Sequence, residues 1–207
     1  MRAAAAAGVP VHPVAEGALK KVLDLVTPQA VVAVARAGSA SLDEVVGASV
    51  AAGSPLLVLV ELQDPGNAGT LVRVAEAAGC AGVVLTERSV DLHNPKTVRA
   101  TAGSVFRVPV VLDVSVDAVL DACAAAGVPT LATVATDGAA PESAPLDGSV
   151  AVLLGSEAHG LPADLVARAT SRVTIPMVGQ VESLNAGVAG AVLAFEAARR
   201  RRAQDAE

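Results

Sequence analysis

The sequence predicts an α/β fold built on a parallel sheet. Short apolar runs of strand length alternate with helical stretches along most of the chain. The most apolar run, Pro55 to Leu62 (PLLVLVEL), is continuous rather than alternating, as befits a strand covered on both faces. Composition permits such a core: 53% of the 207 residues are hydrophobic and 1% aromatic, so Val, Leu and Ala must build it. That length suits one full domain and a partial second one.

The elements follow in order. Residues 14 to 26 carry apolar positions at helical spacing, ended by Thr27-Pro28 because the residue before proline avoids helical backbone. Ala30 to Ala35 reads as a short strand and Leu42 to Ala52 as a helix. After Pro55 to Leu62, strands are expected at Gly82–Leu85, Val105–Val111, Thr130–Val134, Val150–Leu154 and Val173–Pro176. Helices are expected at Thr70–Ala78, Pro95–Ala102, Val116–Ala126 and Asn185 to about Arg202. The main domain is expected to span 54–207. Residues 1–50 hold too few elements for a complete domain and read as the tail of a small α/β module.

Composition narrows the classes. No run of eighteen strongly apolar residues suggests a membrane span, and the alanines after Arg2 meet Gly8, Pro10 and Pro13 without the apolar stretch of a secretory signal. Cys80 and Cys123 lack metal-ligand spacing and read as small buried apolar residues. A cytoplasmic protein without a metal is expected. The net charge of −6 argues against a general nucleic-acid coat, though a local cationic patch is compatible with it.

Three segments carry the chemistry. In the first, Glu61 to Arg73 (ELQDPGNAGTLVR), a strand end meets a helix start, where ligands bind open α/β sheets. Gly66 and Gly69 allow close backbone approach, while Asp64-Pro65-Gly66-Asn67 equally makes a type I or II turn. Arg73 sits among apolar residues and is read either as one half of a structural ion pair or as functional. In the second, Leu153 to Pro162 (LLGSEAHGLP), Leu161 stands where a phosphate-binding loop needs lysine, which excludes a nucleotide triphosphatase. No dinucleotide fingerprint or hydrolase elbow occurs. His159 reads as a loop histidine. In the third, Ile175-Pro176-Met177 precedes Ser183-Leu184-Asn185 and a helix rich in small residues suited to close packing. Ser183 occupies a favourable N-cap position.

Together these segments resemble the three motifs of the SpoU/TrmH family, in the SPOUT class of RNA methyltransferases. The correspondences are Asn67-x-Gly69-x-x-x-Arg73, Gly155-Ser-Glu157-x-x-Gly160 and Ile175-Pro-Met177…Ser183-Leu-Asn185, in the family's order. Lys96 to Pro109 resembles a further recurrent family segment.

The resemblance implies a C-terminal deep trefoil knot, a homodimer, and S-adenosylmethionine as methyl donor. It implies cofactor contacts at Thr133, Gly155, Ile175, Met177, Leu184 and Asn185. The catalytic set would be Arg73, Asn67, Glu157, Ser183 and Asn185, with Glu157 fixing the loop. Arg73, Lys96 and Arg99, joined by Arg107, would meet RNA; Arg199–Arg202 would either join them or complement their helix dipole. The implied reaction is methylation of a ribose 2′-hydroxyl, of 23S ribosomal RNA before transfer RNA. Methylation of a base nitrogen, or RNA binding without transfer, are the competing readings. Residues 1–50 resemble the later part of a ribosomal-protein-like RNA-binding domain that in family members continues further upstream, so a trimmed chain or a late start is expected.

Overall fold

The computed structural model describes residues 2–15, 17–19, 31–36, 38–179 and 183–204. It divides into two compact units, 1–37 and 38–207.

In the first unit, α1 spans Arg2–Ala6. The helix expected over 14–26 is not formed at residues 14 and 15, residues 18 and 19 are helical, and residues 20–30 lie outside the described part. Of the strand expected at Ala30 to Ala35, residues 31–35 form none: Val34 is fully exposed and Val31 and Val32 are largely so. A strand requires a ladder partner, and an apolar run alone does not supply one.

The second unit begins with α2, Leu42–Ala52, started by a reciprocal capping box between Ser41 and Glu44. The Ser41 backbone hydrogen bond, then its hydroxyl, lowers the Glu44 carboxyl pKa. The sequence expectation grouped α2 with the first fifty residues. Its Val45 and Val46 instead lie in the core beneath the sheet. Then follow β1 (Leu56–Leu59), α3 (Pro65–Ala78), β2 (Gly82–Thr86), α4 (Pro95–Ala100), a 3₁₀ turn at Ser104–Phe106, β3 (Val110–Val114) and α5 (Val116–Ala125). The chain ends with β4 (Thr130–Thr133), β5 (Ala151–Leu154), α6 (Ala163–Arg168), β6 (Ser171–Val173) and α7 (Ala186–Gln204).

The six strands are parallel, in the order β3-β2-β1-β5-β4-β6. Alternation is hidden in β1 because both faces are covered. Leu57 and Leu59 join α3 and α7 on one side. Leu56 and Val58 join α2, α5 and α6 on the other. Burial pushes the thiol of Cys80 up to about 12 and that of Cys123 up to about 11, as expected for cysteines serving as apolar filler.

Three local expectations needed correction. The strand expected at Val105–Val111 starts at Val110, because Pro109 has no N–H for a ladder and the preceding residues turn in a 3₁₀ helix. The last strand is Ser171–Val173, ending before Ile175 and Pro176. Helix α6 was not anticipated, although Pro162 followed by Asp164 is a plausible start.

Two acids serve the fold. Arg107 forks onto Glu76, with Nη2 2.9 Å from Oε2, and Arg199 and Arg200 both bond Glu196. Hydrogen bonding from these arginines pulls each carboxyl down to about 2 from an ordinary 4.5. Their contribution is therefore complete above pH 4.5 and is lost as pH falls towards about 2. Thermal melts should fall across that window, by little because the pairs are screened by solvent, and the double variant Glu76→Gln with Glu196→Gln should fall less.

Candidate functional site

The carboxyl ends of the strands gather the site. Beyond β1 the chain runs through Glu61, whose φ is +50°, to Asp64. Glu61 pairs with Arg88, at φ +62°, in the loop after β2, and Gln63 donates to the Arg88 carbonyl. Two non-glycine residues in left-handed backbone thus tie the first motif to its neighbouring strand. Asp64 accepts from Asn67 N at 2.7 Å and caps α3, with Pro65 in its first turn. The segment read as a reverse turn is therefore the start of the helix, which begins five residues before the expected Thr70.

Gly69 serves a different purpose from the one expected. A Cβ there would lie 2.5 Å from Ala100 Cβ and Thr97 O, so it lets α3 and α4 touch. Gly187 and Gly190 on α7 likewise face inward. A Cβ at Gly190 would overlap Leu71 and lie 2.8 Å from Leu154 Cδ1. The small residues of α7 serve packing within the chain.

Beyond β5 the loop 156–160 folds back on itself, with Gly160 N donating to Ser156 O at 2.8 Å. A side chain at Gly155 would overlap Gly160 C and Leu161 N. This loop, the ends of β4 and β6, and the start of α7 enclose a cavity of about 320 Å³. That falls within the usual range for small-molecule sites, roughly 300–1,000 Å³.

Of the expected cofactor contacts, Thr133, Gly155, Ile175, Met177 and Leu184 line this cavity, and Glu157 and Ser183 line it with them. Thr133 Oγ1 donates to Leu153 O at 2.9 Å, which fixes its hydroxyl at the cavity wall. Asn67 is brought in through its side-chain amide, which donates to Glu157 across the gap between α3 and the loop. Asn185 lies outside the lining. Its Oδ1 accepts from Val188 N at 3.2 Å, so Asn185 rather than Ser183 bonds the first turn of α7. The side-chain oxygens of Asn185 and Asn67 both lie 3.1 Å from where a Gly187 Cβ would be, so both amides face Gly187 at the junction of α3 and α7.

Arg73 is exposed on α3, outside the lining, and no ion pair among the described residues holds it. Lys96 and Arg99 are exposed on the adjacent α4. Arg107 is exposed too, and it is paired with Glu76. Arg200 is held by Glu196, Asp147 and two backbone carbonyls. Arg201 donates to the Ala78 and Gly79 carbonyls, capping the end of α3 rather than meeting its own helix dipole.

The lining includes residues that sequence reasoning did not assign to a ligand, among them His159, Ala189 and Leu193. Ala189 and Leu193 follow Ala186 at helical spacing on α7, a signal hidden by the alanine-rich helix.

Residues 54–195 match the profile described as the SpoU rRNA methylase family. A Bacillus subtilis protein named 23S rRNA (guanosine(2553)-2′-O)-methyltransferase RlmP is 34% identical over 91% of this chain and 72% of its own length. The chain spans only 53% of a Synechocystis relative and 60% of a Staphylococcus aureus relative. Among solved structures, an rRNA methyltransferase from Sinorhizobium meliloti with bound AdoMet is 35% identical with TM-score 0.68, over 72% of this chain and 57% of that one. A structure described as giving insights into the 2-OH methylation of C/U34 on tRNA is 34% identical with TM-score 0.67, over 73% of this chain and 99% of that one.

Proposed function

The chain belongs to the SpoU rRNA methylase family, and from that premise we propose that it methylates a ribose 2′-hydroxyl of structured RNA, with S-adenosylmethionine as donor and 23S rRNA as substrate. The observation that carries this reading is the cavity beyond β4, β5 and β6. It joins Thr133, Gly155, Ile175, Met177 and Leu184 to Glu157 and Ser183 in one wall. Apolar side chains with a few fixed polar groups suit an adenosyl ligand.

When bound, S-adenosylmethionine supplies a methyl carbon on a sulfonium. The protein has to align the ribose oxygen with that carbon and help the hydroxyl lose its proton. Arg73 is a poor base, since guanidinium stays protonated. Its role is to hold an RNA phosphate and to stabilise negative charge developing on the oxygen. Asn67, fixed by Glu157 and sharing Gly187 as a neighbour with Asn185, orients the ribose, and Ser183 lines the cavity. Lys96 and Arg99 add phosphate contacts alongside Arg73, and the residues before α2 act as part of an RNA-binding module.

The knot and the homodimer belong to this reading. β6 lies at one edge of the sheet beside β4, whereas the following helix, α7, packs against α3 and β5; such a return path supports a threaded chain. Val188, Val192 and Phe195 form an exposed apolar stripe on α7, with exposed Leu184 just before the helix, which supports a partner copy there. Val192→Glu should shift sedimentation from dimer to monomer. No helix among the described residues is long and apolar enough to cross a membrane, and the proposed location is the cytoplasm.

The decisive experiment offers labelled S-adenosylmethionine with separated ribosomal and transfer RNA from unmodified cells. Label recovered as a 2′-O-methyl nucleotide in 23S rRNA supports the proposal. Label in tRNA supports the second reading, favoured by the similarity to the structure concerned with C/U34 of tRNA. Label on a base, or none in either pool, overturns the assignment.

A further inference from the structure

His159 is left over from the functional reading. The motif it sits in needs only Gly155, Glu157 and Gly160, and the sequence gives the histidine no catalytic partner. The structure nevertheless places it in the cavity lining, on the loop that Gly160 N and Ser156 O close.

Charge makes that position informative. The end of β4 contributes Thr133, Val134 and Ala135, and α7 contributes alanines and Leu193, none of them ionisable. The end of β6 contributes Val173, Ile175 and Met177. Among the described lining residues only Glu157 can be an anion, and only His159 can carry positive charge. Glu157 accepts from Asn67. The ligands proposed for this site bring anionic oxygens with them, a carboxylate on the methionyl end of the cofactor and a phosphate beside the target ribose. An anionic oxygen taken out of bulk water requires a donor. An imidazole keeps at least one N–H in either protonation state.

We propose that His159 is a ligand-binding residue whose imidazole N–H donates to an anionic oxygen at the rim of the cavity. This rests on the functional reading above and assigns a residue outside its motifs. The loop is the natural place for such a donor. Its backbone is fixed by the turn at 156–160 and by the contact of Gly155 with Gly160, while the side chain at 159 remains exposed and free to meet the ligand.

The test compares wild type, His159→Ala and His159→Asn, the last keeping an N–H donor. Calorimetry measures S-adenosylhomocysteine, which carries the carboxylate, and 5′-methylthioadenosine, which lacks it. Initial rates give the KM for RNA. If the carboxylate is the partner, His159→Ala should weaken S-adenosylhomocysteine about tenfold, the loss typical of one hydrogen bond to a charged group. Methylthioadenosine should then change less than about twofold, and His159→Asn should recover part of the loss. If the phosphate is the partner, S-adenosylhomocysteine binding should stay constant and the KM for RNA should rise about tenfold. His159→Ala matching wild type in both measurements overturns the proposal. Wild-type protein that binds neither nucleoside overturns the functional reading instead. Because the side chain is exposed, unchanged thermal melts should accompany each substitution.

Discussion

Arg73→Ala is expected to lower methyl transfer at least about a hundredfold, the usual consequence of removing one donor aimed at developing charge. S-adenosylhomocysteine affinity should stay within about twofold, because truncating one exposed group away from the ligand changes no contact there. Both expectations follow from where the residue sits. Its side chain is exposed on α3 and outside the cavity lining, so truncation removes nothing that touches the cofactor pocket. No ion pair among the described residues holds it, so the fold should not suffer either. A permanently charged fork at the cavity's neighbouring helix is suited to phosphate and to an oxyanion. Arg73→Lys keeps charge and loses the fork, and should fall between the two. Single-turnover rates with saturating cofactor and RNA make the comparison. Unchanged turnover in Arg73→Ala would remove the residue from the mechanism.

Gly155→Ala should have the opposite signature, a loss of cofactor binding before any loss of chemistry. The added Cβ would overlap Gly160 C and Leu161 N, backbone atoms that cannot swing aside as a side chain would. The loop 156–160 must move, and it forms one wall of the cavity. Overpacking of this kind costs about 1–3 kcal/mol. Calorimetry should show S-adenosylhomocysteine weakened by about tenfold or more, with a lower melting temperature, if most of that strain is relieved by opening the loop. Gly47→Ala is the control. It lies on α2 with nothing within 4 Å of a new Cβ, and alanine favours a helix, so binding and stability should be kept or improved. Wild-type affinity in Gly155→Ala would show that the loop is not a binding wall.

Much of the fold was legible because strand and helix signals were of different kinds. The continuous run Pro55–Leu62 read as a doubly covered strand, and the structure covers both faces of Leu56–Leu59. Boundaries failed where one residue type outweighed periodicity. Pro109 delayed β3, and Asp64-Pro65, read as a turn, opened α3. Alanine-rich stretches blurred faces, so α1 and α6 were missed, and the pocket-facing Ala189 and Leu193 went unrecognised. The exposed Val31, Val32 and Val34 show the limit of reading an apolar run as a strand.

The site was legible as motifs and not as geometry. Five of the six cofactor positions implied by the resemblance share one cavity, while Asn185 bonds the start of its helix. The arginines divide by partner. Arg107, Arg200 and Arg201 are held by Glu76, Glu196 and the last carbonyls of α3, while Arg73 is unpaired among the described residues. Spacing in a sequence carries no information about which carboxylate lies across a helix boundary.

By itself the sequence determined the parallel α/β architecture, the family, and the short list of chemically competent residues, because hydrophobic pattern and motif order are local properties of the chain. Only the tertiary structure decided that Gly69 and Gly190 serve helix contacts, that Asn67 reaches Glu157 ninety positions away, and that His159 faces the same cavity as Met177. Those outcomes depend on strand order, which puts β5 beside β1 and brings distant loops to one end of the sheet.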